Sequence, residues 1–165
     1  MKNFKLGCFS IFSIAYILVV AISTFVNKIQ FNQDCGGYLK QAADANTVEL
    51  AIDRLDKAIA YAESNGLTTG YTSILYKTEN ENVGFWYENL KACRDQLEAV
   101  KYKGHFEQTN ELMKLRESLT DNGEKGTELT YPNGLSRYPN NMLWGIAWAI
   151  GVFLFFVLAF GVFKD

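Results

Sequence analysis

The chain has 165 residues, of which 48% are hydrophobic and 21% are charged, so it is long enough for one domain core and too short for a second. Its formal net charge is −2, and its 16 Lys and Arg residues do not form the basic surplus that is typical of nucleic-acid-binding proteins. The two ends are nearly free of charge, whereas the middle carries almost all of it. We therefore expect no nucleic-acid partner, and we expect a membrane protein with a hydrophilic middle region.

The first apolar segment, residues 6–26, contains no Asp, Glu, Lys, Arg or His. As a helix it is about 31 Å long, which matches a bilayer core of roughly 30 Å and predicts a transmembrane helix. A cleaved signal peptide is the alternative, because a basic start precedes the segment and Ala21-Ile22-Ser23 offers a small-x-small site. The apolar stretch is longer than a usual signal core and continues past that site, which favours the membrane helix.

The middle region, residues 27–141, is predicted to begin with a hinge and to continue as helices. Gly36 and Gly37 each disfavour a helix by up to ~1 kcal/mol relative to alanine, so we expect the first membrane helix to end before the domain. A helix is expected to start at residues 46–49, which have the form of a capping box with Asn46 as the cap. Asn65-Gly66 is expected to end this helix in a left-handed conformation.

Two apolar stripes with alternating spacings of four and three residues predict two helices that pair as an antiparallel hairpin. The first stripe is Val48, Ile52, Leu55, Ile59 and Ala62, and the second, in a helix over residues 83–103, is Trp86, Leu90, Cys93, Leu97 and Val100. A third helix is predicted from the apolar residues Phe106, Leu112, Leu115 and Leu119, followed by a turn over residues 121–128. The expected fold class is therefore all-α, with two transmembrane helices flanking a three-helix, hairpin-like domain.

Residues 67–81 join the two hairpin helices and are predicted to form an ordered loop or one short strand at the end away from the membrane. Consecutive helical positions after this loop point in different directions, so Trp86 is expected to face the seam while Phe85 or Tyr87 stays exposed for a partner. The alternative is that the loop folds over these aromatic side chains. The candidate partner-binding residues are Tyr71, Tyr76, Phe85, Trp86 and Tyr87.

Cysteine and histidine usage points to a disulfide and away from a metal site. Cys35 and Cys93 are 58 positions apart, and a bond between them would stabilise an extracytoplasmic fold by about 4 kcal/mol in the chain-entropy model. The alternative is that Cys93 is a small buried hydrophobic residue and that Cys35 pairs with nothing or with another chain. His105 is the only histidine, and Glu107 and Glu111 beside it make a poor zinc site, so we expect no metal.

The second apolar segment, residues 142–163, is also uncharged and long enough to span a bilayer. Small residues in it permit close helix contact, either between the two membrane helices of one chain or in a larger bundle. The first segment has a polar stripe and one tyrosine whose hydroxyl needs a protein partner in the membrane. The candidate helix-packing residues are Ser10, Ser13, Tyr16, Thr24, Gly145, Ala147, Ala149 and Gly151.

The basic residues that flank the apolar segments predict the orientation in the membrane. Lys2 and Lys5 precede the first segment and Lys164 follows the second, so the positive-inside tendency places residues 1–5 and 164–165 in the cytoplasm. Residues 27–141 then lie in the periplasm or outside the cell. They contain 13 basic and 17 acidic residues, a net charge of −4.

The sequence contains no nucleophile motif, P-loop or dinucleotide fingerprint, so we expect neither an enzyme nor a cofactor. The favoured function is a membrane-anchored interaction or accessory protein that binds or regulates other membrane proteins or copies of itself. One alternative is a homo-oligomeric pore, suggested by the polar stripe of the first segment and the small-residue faces. Another is a ligand-sensing domain that signals through a partner, with a ligand that the sequence does not identify.

Overall fold

The computed structural model of the protein describes residues 2–123 and 126–162, with the side-chain surroundings of residues 10–121 and 128–160. Helix accounts for 76% of the structure, which confirms the expectation of a mostly helical protein. The α-helices are α1 (Lys2–Phe31), α2 (Gly37–Ala43), α3 (Val48–Ser64), α4 (Val83–Val100), α5 (His105–Leu119) and α6 (Asn141–Val162). Two strands, β1 (Thr120–Gly123) and β2 (Gly126–Leu129), and two short 3-10 turns, Glu79–Glu81 and Leu135–Arg137, complete the described elements.

The first helix does not end before the domain, so the predicted hinge at Gly36 and Gly37 is wrong. The chain passes from α1 through one π-helical turn, Asn32–Gly36, directly into α2. Both glycines have helical backbone angles. Cys35 and Leu39 on this segment are fully buried, so tertiary packing outweighs the low helix propensity of glycine. The first apolar helix and the domain core therefore share one continuous rod, which we call the α1–α2 rod.

Helices α3 and α4 form the predicted hairpin, and the two predicted stripes form its seam. Every residue of the α4 stripe is buried, and in the α3 stripe only Ile59 remains half-buried. The cap of α3 is Thr47 and not Asn46, because the Thr47 hydroxyl oxygen accepts the backbone N–H of Leu50 at 3.3 Å. Gly66 has a φ of 68°, as the predicted left-handed stop requires.

The third predicted helix is α5, but one of its predicted apolar residues is not part of the core. Leu115 and Leu119 are buried, whereas Phe106 is 82% exposed. After α5 the chain forms a short antiparallel pair of strands in which Thr120 pairs with Leu129. The residues expected as a turn, 121–128, thus belong to a β-hairpin in an otherwise helical protein. Leu129 packs against the domain core and anchors the hairpin. Residues 124 and 125 lie outside the described residues.

Two helices are long and apolar enough to cross a membrane, as predicted. The candidate stretches are Ser10–Ala43, which includes the α1–α2 rod beyond the predicted end at residue 26, and Asn141–Phe160 in α6. The two helices lie against each other, and most of their large apolar side chains remain exposed. Phe12 and Phe153, for example, are 65% and 67% exposed, as expected for side chains that contact lipid.

Candidate functional site

The loop over residues 67–81 lies beside the beginning of α6, so its predicted position at the far end of the hairpin is wrong. Asn141 Nδ2 donates a hydrogen bond to the Thr72 carbonyl oxygen at 2.6 Å. A Cβ atom added at Gly145 would lie only 2.8 Å from Ile74 Cδ1, so the loop rests directly on the backbone of α6. The physical reason is the α1–α2 rod. Because this rod carries the chain away from the apolar helices, α3 runs back toward them and the α3–α4 loop returns to α6.

The aromatic side chains at the start of α4 lie at the loop end of the hairpin, where the Val83 N–H donates to the Gly70 carbonyl oxygen. Trp86 is 6% exposed and lies in the core, while Phe85 is 68% exposed and is not covered by the loop. The Tyr87 hydroxyl donates to Glu63 Oε1 at 2.6 Å, and this bond to a carboxylate raises the pKa of Tyr87. Tyr87 is thus engaged within the chain. A role in partner binding for these residues remains a prediction.

The two tyrosines of the loop differ in their surroundings. Tyr71 is half-buried, forms an isolated β-bridge with Asn82, and accepts a hydrogen bond from Asn82 Nδ2 at 3.3 Å. Lys77 Nζ lies 5.5 Å from the centre of the Tyr71 ring, within the range of a cation–π contact. Tyr76 is 72% exposed at the tip of the loop. The loop is ordered by its own contacts, and its exposed part is beside α6.

Three apolar side chains that the sequence analysis did not assign to a partner are exposed at the opposite end of the domain. Tyr102 is 91% exposed in the turn between α4 and α5, and Phe106 and Met113 on α5 are 82% and 59% exposed. Positions 106 and 113 lie seven residues apart and hence on one face of the helix. The sequence held one signal, because the step of six residues from Phe106 to Leu112 does not fit a helical stripe. We call these three residues the distal patch.

Cys35 and Cys93 do not form the predicted disulfide. Both are buried and free. The Cys35 thiol lies 4.0 Å from the Ala58 carbonyl oxygen of α3 and donates toward it. Burial raises the pKa of the Cys93 thiol, and the nearby Ser118 side chain of α5 lowers it by a smaller amount. The two thiols are not at disulfide distance from each other. The alternative of small buried hydrophobic residues therefore describes both cysteines better.

The predicted small residues of α6 contact the same chain. The Tyr16 hydroxyl donates to the Ala147 carbonyl oxygen at 3.0 Å, which satisfies the tyrosine inside the apolar layer. A Cβ atom added at Gly151 would lie 3.7 Å from Tyr16, so this glycine permits the close approach of α1. Gly145 instead faces the loop, and Ala149 follows it one turn later. These contacts favour packing within one chain.

The polar stripe of α1 does not form a continuous exposed surface. Ser13 is fully buried and Ser10 is half-buried. The Thr24 hydroxyl donates to the Val20 carbonyl oxygen of its own helix at 2.8 Å. A polar pore lining would need these hydroxyl groups to face a lumen. The pore hypothesis thus gains no support from their placement and remains untested.

The described part of the chain contains no group of three or more His, Cys, Asp and Glu side chains placed to hold a metal ion. His105 is exposed at the start of α5.

The two hairpin helices are also joined by an ion pair between Arg94 Nε and Asp56 Oδ1, at 3.0 Å. It lies at the surface, where such a pair contributes about 0 to 1 kcal/mol.

Comparison with known proteins provides no relative from which a function can be transferred. The chain matches no protein-family model, no curated protein and no solved structure.

Proposed function

We propose that the protein spans the membrane twice and acts as an anchored interaction protein, whose helical domain lies outside the cytoplasm and binds another membrane protein or a second copy of itself. The observation that carries this proposal is the α1–α2 rod. The α1–α2 rod runs without a break from the apolar segment into the domain core, and this continuity supports a domain held at a fixed height and orientation relative to the membrane. The basic residues at both ends of the chain support a cytoplasmic location for the termini.

The distal patch is the surface best placed for a partner. Helix α4 has 18 residues and is about 27 Å long, so its far end projects well away from the loop beside α6. Tyr102, Phe106 and Met113 at this end expose aromatic and methionine side chains, which are enriched at protein–protein interfaces. An anchored domain that presents such residues away from the lipid can contact a neighbouring protein in the same membrane or opposite it.

Site-specific photocrosslinking tests this proposal in the membrane of the native host. A benzophenone amino acid replaces Phe106 in one variant, and in the control it replaces Asp95, whose side chain is 70% exposed on α4 outside the patch. We expect an adduct of one defined mass from position 106 and none from position 95. Coexpression of two differently tagged copies identifies a second copy as the partner when the adduct carries both tags.

Two results would contradict the proposal. One is the absence of any adduct at Phe106 and Tyr102 in membranes where the protein is folded. The other is an equal yield of adducts at Phe106 and at Asp95, because contact without preference indicates random collision.

A further inference from the structure

A groove lies beside the contact between the α3–α4 loop and the first turns of α6, and residues of both elements line it. Its volume is about 1050 Å³, at the upper end of the range for small-molecule sites. Asn141 and Thr72, which are joined by the hydrogen bond from Asn141 Nδ2 to the Thr72 carbonyl oxygen, both line it. Ile74, which rests on Gly145, fixes the loop as the outer wall. The loop thus forms one wall of the groove, and the other wall is α6, a helix that is apolar enough to cross a membrane.

The lining of the groove changes from polar to apolar along α6. The polar end contains Arg137, Thr72 and Asn141, beside the amino end of α6. The apolar part is formed by Met142, Ile146 and Ala149 from α6 and by Ile74 and Leu75 from the loop. Because α6 enters the apolar layer at about Met142, the polar end lies where lipid headgroups lie and the apolar part lies beside acyl chains.

The polar end has hydrogen-bonding and charge capacity that the described part of the chain does not use. Arg137 is half-buried and forms no ion pair with a described acidic residue. Thr72 is 4% exposed, and its hydroxyl oxygen has no hydrogen-bond partner in the described structure. The amino end of α6 adds a partial positive charge. Glu81, the acidic residue in the lining, accepts a hydrogen bond from the Thr78 hydroxyl.

We propose that this groove binds one phospholipid molecule. Its phosphate accepts hydrogen bonds from the Arg137 guanidinium group and the Thr72 hydroxyl, since guanidinium groups bind phosphate oxygens in a fork geometry. Its acyl chain follows Met142, Ile146 and Ala149, in contact with Leu75. A lipid fits better than a helix of a partner protein, because the groove is continuous with the exposed side chains of Met142 and Ile146 and places a cation at headgroup depth.

Native mass spectrometry of the full chain tests this proposal. The protein is released from non-ionic detergent micelles that contain palmitoyl-oleoyl-phosphatidylglycerol, and the retained lipid is counted. We expect one retained lipid per chain in the wild type. Two variants are expected to lower lipid retention at least tenfold. Arg137→Gln removes the guanidinium group that donates hydrogen bonds to the phosphate, and Ala149→Phe fills the apolar part of the groove.

Two matched variants control for general effects on charge and shape. Lys28→Gln removes a cation of the neighbouring cleft, between α1 and the Leu135–Arg137 turn. Arg137 lines this cleft as well, whereas Lys28 does not line the groove. Leu143→Phe enlarges an exposed α6 side chain that does not line the groove. Both are expected to retain the lipid as the wild type does. Circular dichroism checks that all four variants fold, and Arg137→Lys, which keeps the charge, is expected to restore part of the retention.

Several results would overturn the proposal. Equal retention by Arg137→Gln and Lys28→Gln would exclude recognition of the phosphate by Arg137. A diacylglycerol lacks the phosphate. If the chain retained it as strongly as it retains phosphatidylglycerol, recognition of the phosphate would be excluded as well. A wild-type chain that retains no lipid but is a dimer, and that becomes a monomer on Ala149→Phe substitution, would assign the groove to a second copy.

Discussion

Replacing Phe31 with alanine is expected to weaken the attachment of the domain to the α1–α2 rod. Phe31 is 1% exposed, and its ring centre lies 5.2 Å from that of Tyr131 and 6.1 Å from that of Tyr61, both in edge-to-face geometry. Substitution of a buried Phe by Ala typically destabilises a protein by about 3 to 5 kcal/mol, because burial is lost and a cavity remains. At about 4 °C for each kcal/mol in a domain of this size, the thermal midpoint is expected to fall by about 12 to 20 °C.

The assay is thermal unfolding in detergent micelles, followed by circular dichroism. Phe25→Ala is the matched control, because Phe25 lies on the same helix and is 65% exposed. Its midpoint is expected to stay within a few degrees of the wild type. Equal thermal midpoints for Phe31→Ala and Phe25→Ala would contradict this prediction. They would show that packing of the domain against Phe31 does not stabilise its attachment to the rod.

The contacts of the two cysteines, of Tyr16 and of Gly145 each have a measurable consequence. Cys35 and Cys93 are expected to remain two free thiols after mild oxidation of the folded protein, and a mass loss of two hydrogens with an intramolecular disulfide on peptide mapping would contradict their placement. Tyr16→Phe is expected to destabilise the α1–α6 pair by about 0.6 to 2 kcal/mol, measured by denaturation in micelles, because the bond to the Ala147 carbonyl oxygen is lost. An unchanged denaturation midpoint would show that this bond contributes nothing. Gly145→Leu is expected to displace the α3–α4 loop and speed its cleavage by trypsin, and unchanged cleavage would place the loop elsewhere.

Periodic patterns predicted the helical part of the fold well. The stripes from Val48 to Ala62 and from Trp86 to Val100 identified the α3–α4 hairpin, because a buried helix face repeats at three and four residues. The two uncharged segments identified α1 and α6. These features depend on composition and spacing within one element, which a single sequence records directly.

The arrangement of the elements could not be predicted in the same way. Gly36 and Gly37 indicated a hinge on helix propensity alone, but the burial of neighbours such as Leu39 decides the outcome. Once the rod is continuous, the direction of α3 and the position of the loop follow from it. The error about the hinge therefore led to the error about the loop, and hid the groove at α6.

The disulfide prediction failed for a related reason. Separation along the chain and the expected oxidising compartment say nothing about the direction of two side chains. Cys35 faces α3 and Cys93 faces α5, and this difference depends on how the helices pack.

The orientation of the chain in the membrane is the central claim, and cysteine labelling tests it most directly. An Asn110→Cys variant and a Lys164→Cys variant, each with Cys8 replaced by serine, are treated in intact cells or spheroplasts with a membrane-impermeant maleimide. Asn110 lies on an exposed part of α5. We expect labelling at position 110 in intact cells, and labelling at position 164 only after the membrane is permeabilised. Labelling at position 164 with protection at position 110 would contradict the account.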